Sequence, residues 1–189
     1  LESGDLDAIQ GMLYSPERDL LLDFSQPHAD VPYVSVVRRG DAPPPTSLDD
    51  LAGKRIVVQR GDIMHDLALE NGLADQVAVV ATQEEALGQL ASGQHDCALV
   101  ARPTATYWID RHRWAGLVLA RQPLQTSEYS FAVAPGHGAL LALLNDGLDL
   151  LERSGEHRRI QRKWLGADAQ AEPDFATILE YVALVAGPL

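Results

Sequence analysis

The sequence is poor in the residues that metal, disulfide and nucleotide chemistry require. It has one cysteine, Cys97, so no disulfide forms within the chain. Its six histidines give no HxxxH or HExxH pair, and the lone cysteine gives no CxxC, so the usual zinc-binding spacings are missing. No Walker loop, GxSxG elbow or GxGxxG fingerprint occurs. We therefore expect no metal, no cofactor and no nucleophilic hydrolysis.

Positive charge is also scarce. The chain carries 15 Lys plus Arg against 27 Asp plus Glu, a formal net charge of -12. Such a balance repels polyphosphate, so nucleic acid is not an expected partner. Hydrophobic residues make up 46% of the 189 residues, which is enough to bury a core in one or two lobes of about 100 residues each.

Both ends of the sequence lack the features of a complete secreted protein. There is no initiator methionine and no signal-peptide pattern at Leu1, so we expect the true start to lie upstream. The apolar stretch from Tyr181 is about nine residues long, whereas a membrane-spanning helix needs about 20. A core segment and the first part of a membrane helix both remain open for this stretch.

The segment from Lys54 to Arg102 alternates between strand and helix patterns. The apolar runs IVVQ, VAVVA and CALVA are separated by DIMHDLALENG and TQEEALGQLASG. Thr82 with Glu85 fits a helix capping box, and Asp62 fits an N-cap of the preceding helix. Short β-branched runs separated by helices of about ten residues predict a βαβαβ block with a parallel sheet, so the fold class is α/β.

Two extended stretches bracket this block. They are VPYVSVVRRG, from Val31, and EYSFAVAPG, from Glu128. A compact block inserted between two such strands is how a chain crosses into a second lobe and returns from it.

Five stretches together resemble the family-3 periplasmic solute-binding proteins. They are GDLDAIQGMLYSPERDLLLDFSQPH, VVRRG, SLDDLAGKRIVVQRGD, ALGQLASGQHDCALVARP and SGEHRRIQRKWLG. The resemblance implies a two-lobed periplasmic-binding-protein type II fold, also called the Venus flytrap fold, with lobe one incomplete at its N-terminus. On this interpretation residues 1–35 and 129–166 form lobe one, residues 36–128 form lobe two, and 167–189 form a linker that approaches a membrane segment.

The resemblance also implies a ligand anchor. In the family an arginine follows a small-residue turn and precedes the phrase that corresponds here to LLLDFSQPH, and it holds the carboxylate of the ligand. The matching residue is Arg18, in YSPER. A guanidinium can bind a carboxylate through two parallel charge-assisted hydrogen bonds. The alternative for Arg18 is a solvated arginine on a helix face.

Further ligand contacts are expected on both sides of the cleft. Gly11, Met12 and Leu13 match positions that present backbone and hydroxyl groups to the ligand, although Gly11 replaces the usual hydroxyl residue. Across the cleft, Asp62 follows a strand end and begins a helix, where free N–H groups and the helix dipole favour an anionic group. A simple N-cap is the alternative role for Asp62.

Two positions depart from the amino-acid-binding pattern of the family. Ile63 replaces a hydroxyl residue that assists carboxylate binding, and Ala101 replaces the acid that receives the ammonium group of the ligand. A desolvated, unpaired ammonium group costs several kcal/mol. A carboxylate without an amino group, such as a keto or aromatic acid, or a ligand held by upstream residues therefore fits better. Arg102 is either a surface residue or a second partner for an anion.

The continuation after KWLG favours a sensor. Importer-associated binding proteins end soon after this motif, whereas this chain continues through a polar link into the apolar stretch. We expect the ligand-binding sensor domain of a membrane histidine kinase or diguanylate cyclase, on the periplasmic side of the bacterial inner membrane. A homodimer of the full-length protein is compatible with this arrangement. The alternatives are the solute-binding component of an ABC importer and, less favoured, a periplasmic dehydratase-type enzyme, because no matched acid and base occur at the cleft positions.

Overall fold

The computed structural model describes residue 1 and residues 4–165, so the predicted linker over 167–189 lies outside the described residues. The chain divides into two compact units, Leu1–Asn145 and Asp146–Leu189. The strands in the described residues are β1 (Ala8–Leu13), β2 (Asp23–Phe24), β3 (Ala29–Arg38), β4 (Ile56–Gln59), β5 (Val77–Val80), β6 (Cys97–Ala101), β7 (Leu117–Leu119) and β8 (Gln125–Val133). The α-helices there are α1 (Pro16–Asp19), α2 (Ile63–Glu70), α3 (Gln83–Ala91), α4 (Arg102–His112), α5 (Gly138–Arg153) and α6 (Glu156–Leu165).

The predicted βαβαβ block is confirmed as β4, α2, β5, α3 and β6, and β4 pairs in parallel with both β5 and β6. Successive side chains of β4 enter different cores. Ile56 and Val58 pack with Met64 of α2, whereas Val57 packs with Leu87 of α3. Helices therefore cover both faces of this part of the sheet, which explains why its strands are continuous apolar runs without polar alternation.

Side-chain caps fix where the two helices of the block begin. The carboxylate of Asp62 accepts a hydrogen bond from the N–H of Met64 at 3.4 Å. The hydroxyl of Thr82 accepts one from the N–H of Glu85 at 3.1 Å. The Glu85 carboxylate accepts in return from Ala81, one residue before the position expected in an ideal capping box. Both predicted N-caps are confirmed.

The two extended stretches are confirmed as β3 and β8, and they join the parts of the sheet. The strand order is β1-β8-β3-β6-β4-β5, with β2 on β8 and β7 on β3. The first half of β3 pairs with β8, and its second half pairs with β6. Tyr33 is the residue at which β3 changes partner, because it is opposite both Gln125 and Ala101.

Helix α4 was not predicted from the sequence. Its segment, RPTATYWIDRH, buries only Ala105 fully, so it lacks the apolar periodicity of a helix with a broad buried face. The signals that could have found it are Pro103 at the helix start and Arg111 and His112 in the last turn. The helix ends at Arg113, whose φ of 55° is left-handed.

In the second unit, the end of α5 and helix α6 are separated by a tight turn. Gly155 has φ of 73°, a left-handed conformation that glycine adopts without a steric cost. The carboxylate of Glu152 lies 2.6 Å from Nδ1 of His157, and Glu156 pairs with Arg159. The turn therefore divides this part of the chain into two helices.

An arginine–carboxylate fork stabilises the edge where β4 and β6 begin. Nη2 of Arg55 lies 2.6 Å from Oδ1 of Asp96, while Nε and the backbone N–H of Arg55 donate to Oδ2 at 3.2 and 3.0 Å. Hydrogen bonds from Arg55 lower the pKa of Asp96 to about 2. The side chains are 59% and 38% exposed, so solvent screening limits the gain in stability to about 1 kcal/mol.

Replacing Asp96 by asparagine is expected to make the chain less stable at neutral pH, by an amount that shrinks as the pH falls from about 4 toward 2. A carboxyl whose folded pKa is lowered contributes stability above its unfolded pKa of about 3.9, and this contribution is lost as the pH falls through the folded value. Urea unfolding of the wild type and Asp96→Asn at several pH values measures the difference. The exposed Asp5→Asn serves as the control, and an Asp96→Asn deficit at pH 2 as large as that at pH 7 would contradict the ion-pair explanation.

Candidate functional site

A cleft of about 480 Å³ lies within the first unit. Five of the eight residues predicted to bind the ligand line it, namely Gly11, Met12, Leu13, Arg18 and Asp62. These residues come from β1 and α1 on one side and from the turn before α2 on the other. More than 40 positions of the sequence separate Arg18 from Asp62. The fold therefore brings the two predicted sides of the site together.

Arg18 points into the cleft because its short helix is fixed at the start. Pro16 is in the first turn of α1, and the hydroxyl of Ser15 accepts a hydrogen bond from the N–H of Arg18 at 3.3 Å. Nη1 of Arg18 donates to the carbonyl of Leu13 at 3.1 Å. Arg18 is thus a half-buried cleft residue and not a freely solvated arginine on a helix face.

Gly11 takes a backbone conformation that explains why a glycine is found there. Its φ is 74°, in the left-handed region. The pairing of β1 with β8 shifts between Ile9 and Met12, so Gly11 lies in a β-bulge. Bulges redirect neighbouring side chains and are common beside functional sites. Gly11, which replaces the family's hydroxyl residue, therefore lies at a bulge in β1.

A buried polar network, which the sequence did not reveal, forms one wall of the cleft. Nε2 of Gln83 donates to Oδ2 of Asp62 at 2.6 Å, and Oε1 of Gln83 accepts from the backbone N–H of Ala101 at 3.1 Å. Tyr33 interacts through its hydroxyl with both Asp62 and Tyr129. Asp62 is therefore both the N-cap of α2 and a member of the cleft wall.

The two tyrosines of this network remain protonated at neutral pH. Burial raises the pKa of Tyr33, and the charge of Asp62 and the proximity of Tyr129 raise it further. Burial is also the main cause of the raised pKa of Tyr129. Both hydroxyls are therefore available as neutral hydrogen-bond donors and acceptors.

The other three predicted residues are not among the described residues that line the cleft. Ile63 begins α2 and its side chain is in the core. Ala101 is buried, and its N–H is bound by Gln83. Arg102 donates through Nη2 to the carbonyl of Arg121 at 2.7 Å. The geometry therefore favours Arg102 as a surface residue over Arg102 as a partner for an anion.

The mouth of the cleft carries an aromatic stack, which the sequence also did not reveal. Trp108 and Glu84 line the cleft. The His112 ring stacks on Trp108 and Trp114, with ring centroids 5.4 and 4.5 Å away. Nε2 of His112 also lies 2.6 Å from Oε1 of Glu84. The stack therefore holds the Trp108 indole on the lining of the cleft, and it depends on helix α4, which carries both Trp108 and His112.

Metal binding, membrane crossing and thiol reactivity are considered for the part of the chain that the structure describes. No group of three or more His, Cys, Asp or Glu side chains there could hold a metal ion. Across residue 1 and residues 4–165, no helix has the length and apolar character needed to cross a membrane. Burial raises the pKa of the Cys97 thiol to about 12, so this cysteine is not a nucleophile at neutral pH.

Comparisons with known proteins agree with the fold. Residues 1–167 match the family described as bacterial extracellular solute-binding proteins, family 3. A crystal structure of a histidine kinase sensor domain with similarity to periplasmic binding proteins superposes with a TM-score of 0.83. It is 35% identical and covers 88% of this chain and 72% of that one.

Two curated relatives represent different uses of the family. The virulence sensor protein BvgS of Bordetella bronchiseptica is 26% identical over 186 residues, which is 98% of this chain but 15% of that protein. The L-cystine-binding protein TcyJ of Escherichia coli is 25% identical over 169 residues, 89% of this chain and 63% of that protein. This chain thus spans less than two thirds of either relative.

The predicted α/β fold of the two-lobed type II class is confirmed by these structural neighbours. The five stretches that suggested the family all lie within the matched range. The chain belongs to the family-3 bacterial extracellular solute-binding proteins.

Proposed function

We propose that this chain is the solute-binding sensor domain of a transmembrane signalling protein, and that Arg18 anchors a carboxylate of the solute in the cleft. The observation that carries the proposal is the position of the Arg18 guanidinium inside the cleft, between β1 and the start of α2. A guanidinium at such a place can fix both the position and the orientation of a carboxylate. The similarity to BvgS and to a histidine kinase sensor domain supports the sensor role.

The proposed lobes keep the bounds given by the sequence, with 1–35 and 129–166 in lobe one and 36–128 in lobe two. The partner change within β3 at Tyr33 supports a boundary close to residue 35. Closure of the lobes on a solute would shift the signalling equilibrium by the difference in solute affinity between the open and closed states. We place the domain on the periplasmic side of the inner membrane, joined to a membrane segment, and as a homodimer in the full-length protein.

We propose that the cleft binds a solute and does not catalyse a reaction. The two tyrosines nearest Asp62 hold their protons, because burial raises both pKa values. Asp62 itself is bound by the side chain of Gln83 and by a backbone N–H. Groups engaged in this way shape and polarise a binding site, and they support recognition of a solute without a chemical step.

A second candidate is the solute-binding component of an ABC importer. The similarity to the L-cystine-binding protein over 89% of this chain favours it. The same cleft would serve both roles, so the chemistry of the site is shared and only the partner differs.

The experiment is a thermal-shift panel with keto acids, aromatic acids, dicarboxylates and amino acids. At about 100 times its dissociation constant a solute adds about 2.7 kcal/mol, which raises the melting temperature of a chain of this size by about 5–10 °C. The effective solute is then added to membranes that contain the full-length protein, and phosphate incorporation is measured. A change supports the sensor, whereas solute uptake without such a change supports the importer. No rise with any carboxylate would refute the proposed ligand class.

A further inference from the structure

The guanidinium of Arg18 already has a carboxylate partner within the chain. Oδ2 of Asp66, in the first half of α2, lies 3.3 Å from Nη2 of Arg18. The same Nη2 donates to the carbonyl of Gly61 at 3.4 Å. Nη1 meanwhile donates to Leu13 on the β1 side of the cleft. Arg18 therefore joins the β1 side of the cleft to the α2 side, and its charge is compensated by Asp66.

The ion pair between Asp66 and Arg18 is only partly buried. Its side chain is 43% exposed and the Arg18 side chain is 23% exposed, so both remain in contact with water. An ion pair that is this exposed is weak, so another carboxylate can displace it. A solute carboxylate can replace Asp66 because it offers the same ionised oxygens to the same donors.

The charges around the cleft make this competition matter for affinity. Asp62 and Glu84 also line the cleft, and Arg18 is the one residue with a full positive charge among the described lining residues. While Asp66 is bound to Arg18, the cleft has no uncompensated cation to offer an anion. The strength of the Arg18–Asp66 pair therefore helps to set the solute concentration at which the cleft fills.

We propose that Asp66 is an internal competitor for the solute carboxylate, which holds Arg18 in the solute-free state and is displaced when solute binds. This inference rests on the proposed function, in which Arg18 is the carboxylate anchor. It makes Asp66 a residue that sets the affinity of the cleft for carboxylates, although Asp66 does not itself bind the solute. A carboxylate that binds must outcompete an aspartate that already contacts the same guanidinium.

The first test needs no solute. Phenylglyoxal modifies arginine guanidinium groups, and peptide mapping measures its rate at each arginine of the full chain. Asp66→Asn keeps the size of the side chain but removes its charge. We expect Arg18 to react about two- to fivefold faster in this variant, the factor that corresponds to the loss of a partly exposed ion pair. The exposed Arg39 is the internal standard, and the exposed Asp75→Asn is the matched control variant.

The second test measures the affinity of the wild type and Asp66→Asn for pyruvate, succinate and benzoate by titration calorimetry. Each carboxylate that the wild type binds is expected to bind the variant about two- to fivefold more tightly. An unchanged Arg18 reaction rate, or an unchanged affinity for a carboxylate that does bind, would overturn the proposal. If Arg18 reacts faster but neither protein binds any of the three, the competition is refuted together with the carboxylate anchor, while the Arg18–Asp66 pairing itself stands.

Discussion

Arg18→Ala is expected to weaken the binding of a carboxylate solute by about ten- to a hundredfold. Hydrogen bonds to a charged group contribute about 1.5–3 kcal/mol, and each 1.4 kcal/mol changes the dissociation constant tenfold. The variant loses the donors that lie inside the cleft, whereas Ser15 and Pro16 still define the start of α1. Titration calorimetry with the solute identified in the thermal-shift panel gives the dissociation constants directly.

One further variant separates the geometry of the anchor from its charge, and a second is a control. Arg18→Lys keeps the positive charge but loses the planar fork, so we expect its affinity to lie between those of the wild type and Arg18→Ala. Arg39→Ala removes an exposed arginine that is not among the described lining residues of the cleft, and it should bind like the wild type. Equal affinity in wild type and Arg18→Ala would exclude Arg18 as the anchor. The fluorescence of Trp108, which lines the cleft, gives an independent binding signal.

Gln83→Leu is expected to lower the free energy of unfolding by about 2–4 kcal/mol. Gln83 is 8% exposed, and its amide group binds Asp62 and the buried N–H of Ala101 at the same time. Leucine has a similar length but no polar atoms, so it leaves both groups without this partner. Each unsatisfied buried polar group costs about 1–3 kcal/mol.

Urea unfolding followed by circular dichroism measures this loss. The matched control is Gln122→Leu, since Gln122 is exposed in a loop and its replacement should change the free energy of unfolding by less than about 0.5 kcal/mol. A loss below about 1 kcal/mol for Gln83→Leu would mean that Asp62 and Ala101 find other partners. Because Gln83 lines the cleft, the same variant should also weaken solute binding.

The βαβαβ block could be predicted because its signals are local. Thr82 and Asp62 cap the helices that follow them, and the apolar runs match the strands that they become. The residue at position 18 could be singled out only through the family resemblance, because nothing in YSPER alone distinguishes a cleft arginine from a surface one. Its partner Asp66 is 48 positions away, and that pairing depends on how β1 and α2 meet.

The polar wall of the cleft could not be predicted for a similar reason. Gln83 is at the first position of α3, where a glutamine is ordinarily exposed to solvent. It is buried because the end of β6 lies beside it and presents the N–H of Ala101. Trp108 was missed because α4 has no apolar periodicity, so its helical character depends on packing that the sequence does not display.

The partner change of β3 has a mechanical consequence. The strand is hydrogen-bonded to β8 before Tyr33 and to β6 after it, so a change in the angle between these two parts of the sheet alters backbone torsions close to Tyr33. The side chain of Tyr33 lines the cleft and contacts Asp62 and Tyr129. Tyr33, at which β3 changes partner, is therefore also a residue of the cleft wall, so a solute that contacted Tyr33 would contact the strand at that position without any relay between distant sites.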